Sequence, residues 1–138
     1  MKAQVEQLKI LREINATSLF NKWLGLEVES ANDGEVKLSL IWRDELGQYS
    51  GFLHAALIGG LIDTACGFAA ATVAGPKVLA SNFTVNCLRP AVGEKFIAKG
   101  KVIKAGKNQI FTACDLFAIN DGKEKLVANG QVILSVAG

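Results

Sequence analysis

The stretch from Tyr49 to Ala71, YSGFLHAALIGGLIDTACGFAAA, constrains this chain more than any other feature. It stays apolar until Gly75-Pro76, and at 3.6 residues per turn it predicts a helix of about five turns. Because the segment is apolar almost all round, it cannot lie on a surface and should be wrapped by other elements on most sides. The run nevertheless holds one histidine, His54, and one aspartate, Asp63. An ionised carboxylate is costly to bury unless the fold gives it partners or a task.

The rest of the chain supplies the wrapping. Residues 1–21 predict a lead-in amphipathic helix, with Val5, Leu8, Leu11, Ile14 and Leu19 near a helical stripe and Lys9, Arg12 and Glu13 facing water. The period then changes to two. Leu26, Val28, Val36, Leu38 and Leu40 alternate with polar residues around the turn Asn32-Asp33-Gly34, which predicts a hairpin. After a polar loop at 43–52 and the helix, strands are expected over 77–88, 95–104, 108–119 and 126–136, separated by Pro90 to Gly93, Ala105-Gly106-Lys107 and Asn120-Asp121-Gly122. Short turns make consecutive strands antiparallel. The expected fold is α+β, a long central helix wrapped by an antiparallel sheet of about six strands, and 1–138 reads as one domain.

Composition narrows the function. A net charge of +2 gives no polyanion-binding surface, so nucleic acid is not an expected partner. Cys66, Cys87 and Cys114 stand far apart with no CxxC pair, which disfavours a zinc or thioredoxin-type site and predicts three small buried apolar side chains. The start, MKAQVEQLKILREIN, is interrupted by charges and predicts neither a secretory signal nor a membrane span. A reduced, cytoplasmic setting away from membranes is expected.

His54 falls where loop becomes helix, among backbone N–H groups that lack an intrahelical acceptor. That end favours negative charge, so the N–H of Ala55 could bind a carbonyl oxygen that becomes negative during a reaction; a histidine there could equally do no more than bond a loop carbonyl. Asp63 lies nine residues on, roughly 13.5 Å along the axis and on the opposite face, so the two cannot form a dyad within one chain. Its helical neighbours are Gly59, Gly60, Cys66 and Gly67. Such glycines either let another element approach closely or clear room for a substrate. Strand alternation puts Ser81 in phase with Leu79, Phe83, Val85 and Cys87, and so predicts a hydroxyl facing Asp63.

These residues resemble a family, the hot dog fold acyl-CoA thioesterases of the PaaI-like branch, over roughly residues 20–136. The specific part is an amide residue in the loop, Gly-x-x-His at the helix start, an acid nine residues later and a serine eighteen after that: Gln48, Gly51 to His54, Asp63 and Ser81. The run NFTVNCLRPAVGE is similar to the family's strand-turn after the helix. The chain departs from the pattern at Ala55-Ala56, where Gly-Gly is usual; an N–H survives that change, while the added methyls narrow the approach.

The resemblance implies hydrolysis of an acyl or aryl-acyl thioester to the acid and free CoA, with no metal or other cofactor. It implies a homodimer whose site joins Gln48, His54 and the Ala55 N–H of one chain to Asp63 and Ser81 of the other, with a tetramer of two dimers as the larger alternative. Asp63 would serve as general base or as nucleophile. Gly51, Gly60 and Asn82 are further candidates for contact with substrate, and Arg89, Lys104 and Lys107 for the CoA phosphates. Two other readings stay open: an acyl-CoA-binding module without turnover, and a hot dog hydratase or dehydratase.

Overall fold

The N-terminal stripe folds as two helices, not the single one expected. A computed structural model describes residues 2–137, with α1 at Lys2–Thr17 and α2 at Leu19–Leu24. The break falls at Ser18, whose backbone is extended (φ −88°, ψ 116°) and whose hydroxyl accepts the Asn21 N–H at 3.1 Å. Serine caps a helix better than it continues one, because its side chain competes for nearby backbone groups. Asn21 donates to Asn15 across the corner at 3.0 Å, and Gly25, with φ 77°, closes α2.

The period-two segments form strands as expected. They are β1 (Glu27–Asn32), β2 (Glu35–Ile41), β3 (Val78–Cys87), β4 (Lys95–Ala105), β5 (Gln109–Asn120) and β6 (Lys123–Val136). All pair antiparallel in one sheet of order β1-β2-β4-β5-β6-β3. Between β2 and β3 runs the apolar helix α3, Ala55–Ala74, laid across one face of the sheet. Leu61 and Ile62 of α3 meet Leu38 of β2 and Leu116 of β5 in a continuous core, all essentially inaccessible to solvent. Each such side chain contributes about 1.5–3 kcal/mol by leaving water. The helix approaches so closely at Gly100 of β4 that a Cβ there would stand 2.7 Å from the Ala65 carbonyl oxygen; glycine is what permits that approach.

The wrapping is one-sided, which corrects the expectation of a helix enclosed on most sides. By length and hydropathy α3 would pass for a membrane span. Nine of its 20 residues are buried, on the face that meets the sheet. The stripe through Ala55, Ala56, Gly59, Gly60 and Asp63 is left open or half-open. Beside it lies β3, an edge strand on which only Val78 and Val85 are even half-buried, with Leu79 and Phe83 71% and 52% exposed.

Candidate active site

The loop before α3 is pinned to its surroundings by backbone bonds. His54 N–H donates to Leu46 and Leu53 N–H to Ala91, both at 3.0 Å. Within the loop Gln48 N–H donates to Phe52 at 2.8 Å and Gly51 N–H to Gln48 at 3.1 Å, a turn that places Gly51 at φ 82° where a side chain would be strained. Gln48 Oε1 accepts the Ser50 N–H. Among the described residues nothing accepts from the Gln48 amide NH2, so it can donate outward.

His54 caps α3. Its Nδ1 accepts the Ala56 N–H at 2.9 Å, so a neutral ring carries its proton on Nε2. Among the described residues the N–H of Ala55 has no acceptor. The histidine satisfies the second N–H of the helix and leaves the first free, at the positive end of a five-turn dipole.

Asp63 is half-buried, and among the described residues its carboxylate has neither a hydrogen-bond nor an ion-pair partner. Burial alone raises its pKa above the ordinary carboxylate value. Spacings of three and four put it on the same open stripe as Ala55, Gly59 and Gly60, at the end of a groove of about 470 Å³ walled by Phe83 and Val85. At Gly60 the Phe20 ring of α2 stands 3.6 Å from where a Cβ would sit. Ala55 and Asp63 are about 12 Å apart along the axis, too far for one reacting carbon to touch both.

A second opening adjoins the first at Ala55 and Cys87, and holds Gln48, His54 and Arg89. The structure therefore gathers Gln48, Gly51, His54, Ala55 and Arg89 at one end of α3, with Gly60 and Asp63 further along. Four expected residues lie elsewhere. Ser81 does not face Asp63: the β3 register slips between Ala80, opposite Leu134, and Asn82, opposite Ile133. Opposed residues share a face, so the bulge puts Phe83, Val85 and Cys87 on the helix side and leaves the exposed Ser81 hydroxyl to donate to the Ile133 carbonyl at 3.2 Å. Asn82, opposite Ile133, is exposed beside it.

Lys104 and Lys107 sit at the far end of the molecule from His54. β4 begins beside the loop that precedes α3, where Trp42 N–H donates to Glu94, and near its other end Val102 N–H donates to Gly34, whose own N–H bonds the Thr72 hydroxyl near the end of α3. The cysteines divide: Cys66 and Cys114 are buried as expected, but Cys87 is exposed at the groove. It ends an edge strand, and its phase with Phe83 and Val85 was the available signal. Phe20 was missed because the broken helix was read as continuous.

A family model described as "Thioesterase superfamily" matches residues 50–125. A protein of Halobacterium salinarum named "Putative esterase" is 38% identical over 92 residues, which are 61% of this chain and 60% of that protein's length. A second protein of that name, from Sulfurisphaera tokodaii, is 28% identical over 125 residues, 91% of this chain and 90% of the relative. Among solved structures, a thioesterase family protein from Silicibacter pomeroyi superposes with TM-score 0.90 at 30% identity, covering 96% of this chain and 99% of its own.

Proposed function

The chain belongs to the thioesterase superfamily and has its hot dog fold, and from that premise we propose that it hydrolyses an acyl-CoA thioester to the carboxylic acid and free CoA. The observation that carries the reading is the Ala55 N–H, free among the described residues, heading a stripe of small residues that ends on Asp63, whose carboxylate has no partner among them. In the reaction the Ala55 N–H and the helix dipole polarise the thioester carbonyl and stabilise the oxyanion. The Gln48 NH2 donates to the same oxygen or orients the attacking water. Asp63, with a pKa raised toward the working range, takes a proton from water or attacks the carbonyl itself. Arg89 offers its guanidinium to a CoA phosphate at the groove mouth. With Ser81 bonded to Ile133, we give it no part.

The separation of Ala55 and Asp63 supports a site shared between two chains. An isologous dimer that sets the open stripes side by side and antiparallel brings each Ala55 to the other chain's Asp63. The unpaired outer edge of β3 suits the same contact, since an exposed edge of 10 residues is a template for a second strand. Three free cysteines, one of them exposed, fit the reducing cytoplasm.

The test is thiol release from a panel of acyl-CoAs with a thiol-reactive dye. Release of CoA supports hydrolysis; tight binding without release would make the protein an acyl-CoA-binding module.

A further inference from the structure

The loop that carries Gln48 leaves the sheet just after β2, and its first residues, Trp42 and Arg43, face opposite ways along an extended backbone, with Arg43 at φ −149°, ψ 155°. Trp42 packs edge-on to Phe96, ring centroids 6.3 Å apart, and lies against Gly47, where a Cβ would stand 2.7 Å from the indole. Arg43 reaches the other way, to α2. Its Nη1 donates to the Leu24 carbonyl at 2.8 Å, its Nη2 donates to the Trp23 carbonyl, and its Nε pairs with Glu45 at 3.2 Å.

Those two carbonyls belong to the last turn of α2, the end whose C=O groups lack intrahelical partners and favour a cation. The guanidinium also lies over the Trp23 ring, 4.9 Å from its centroid. Trp23 stacks on Phe20 at 6.4 Å, and Phe20 leans on Gly60 of α3, three residues before Asp63. One side chain thus joins the loop that presents Gln48 to the element resting beside Asp63. Among the described residues, no other side-chain hydrogen bond from residues 43–52 leaves the loop.

We propose that Arg43 is a positioning residue for the hydrolysis: by bridging the Trp23 and Leu24 carbonyls it holds the loop so that the Gln48 NH2 faces the thioester carbonyl at Ala55. The inference rests on the thioesterase reading and adds to it a residue that touches no reacting atom. Lysine cannot replace it, because one ammonium does not bond two carbonyls in a plane while stacking on an indole. A reacting group displaced by an ångström costs up to about a hundredfold in rate.

The experiment compares the parent with Arg43→Ala, Arg43→Lys and Glu45→Ala in two readouts: kcat and KM for CoA release from the acyl-CoA the parent hydrolyses fastest, and amide hydrogen exchange by NMR. Arg43→Ala and Arg43→Lys should each lower kcat by about tenfold or more, with KM within about threefold. In both, exchange at Gln48, Leu53 and His54 should quicken by more than any change in β5. Glu45→Ala breaks only an exposed ion pair and should stay within about twofold of the parent. Full activity of Arg43→Lys, a change in KM alone, a loosened loop with kcat intact, or an equal loss in Glu45→Ala would overturn the assignment. Exchange keeps the two readings apart: a loop that loosens in a parent background without CoA release sinks the hydrolase and leaves the Arg43 clamp standing, whereas CoA release with loop and kcat untouched in Arg43→Ala does the reverse.

Discussion

Among the described residues nothing holds the Asp63 carboxylate, and that decides what its substitutions should do. Its folded pKa is raised by burial, so the native state holds its proton more tightly than the unfolded chain does. Stability is therefore unaffected by Asp63 below the unfolded pKa, falls as pH rises from that value through the folded one, and stays reduced above. Asp63→Ala should accordingly melt no lower than the parent near neutral pH, and the two should converge in acid; differential scanning fluorimetry across pH checks this. On the proposed mechanism activity runs the opposite way, because the ionised form is the one that takes the proton or attacks. The acid limb of kcat/KM should lie above the ordinary carboxylate range, and folded Asp63→Asn should turn over at least about a hundredfold more slowly. Near-normal turnover would remove the acid from its role. At the helix start, Ala55→Pro deletes the free N–H in a first turn that tolerates proline. It should abolish turnover with circular dichroism unchanged, whereas Ala55→Gly stays active.

Among elements, α3 is legible as a helix because its apolar run is too long for a strand and ends at Gly75-Pro76, and the hairpin because Asn32-Asp33-Gly34 interrupts an alternation. The errors have specific causes. Alternation assumes an unbroken ladder, and the bulge at Ser81 inverts the phase of β3 without any sign in the residue types. The stripe through Val5 and Leu19 carries across Ser18, so periodicity hides a break that depends on one hydroxyl finding one N–H. Lys104 and Lys107 looked eligible for phosphates because sequence gives charge but not which end of the sheet a turn occupies. Two substitutions test the packing. Gly100→Ala drives a methyl against the Ala65 carbonyl and should destabilise by about 1–3 kcal/mol in urea unfolding. Ser18→Ala removes the cap and should lose about 1 kcal/mol.

For the whole molecule, the open stripe of α3 and the bare edge of β3 belong to one surface, and a single chain leaves both without partners. On the dimer proposed above, the roughly 12 Å between Ala55 and Asp63 follows from each chain carrying half of two sites. The most direct measurement is complementation between Gln48→Ala and Asp63→Asn, mixed under conditions where subunits exchange. In the mixed dimer one site has both intact groups and the other has both defects. Random pairing makes half the dimers mixed, so activity should recover to about a quarter of the parent's. Activity that stays at the level of the separate variants, with exchange verified by native mass spectrometry, would contradict the account and place the working site within one chain.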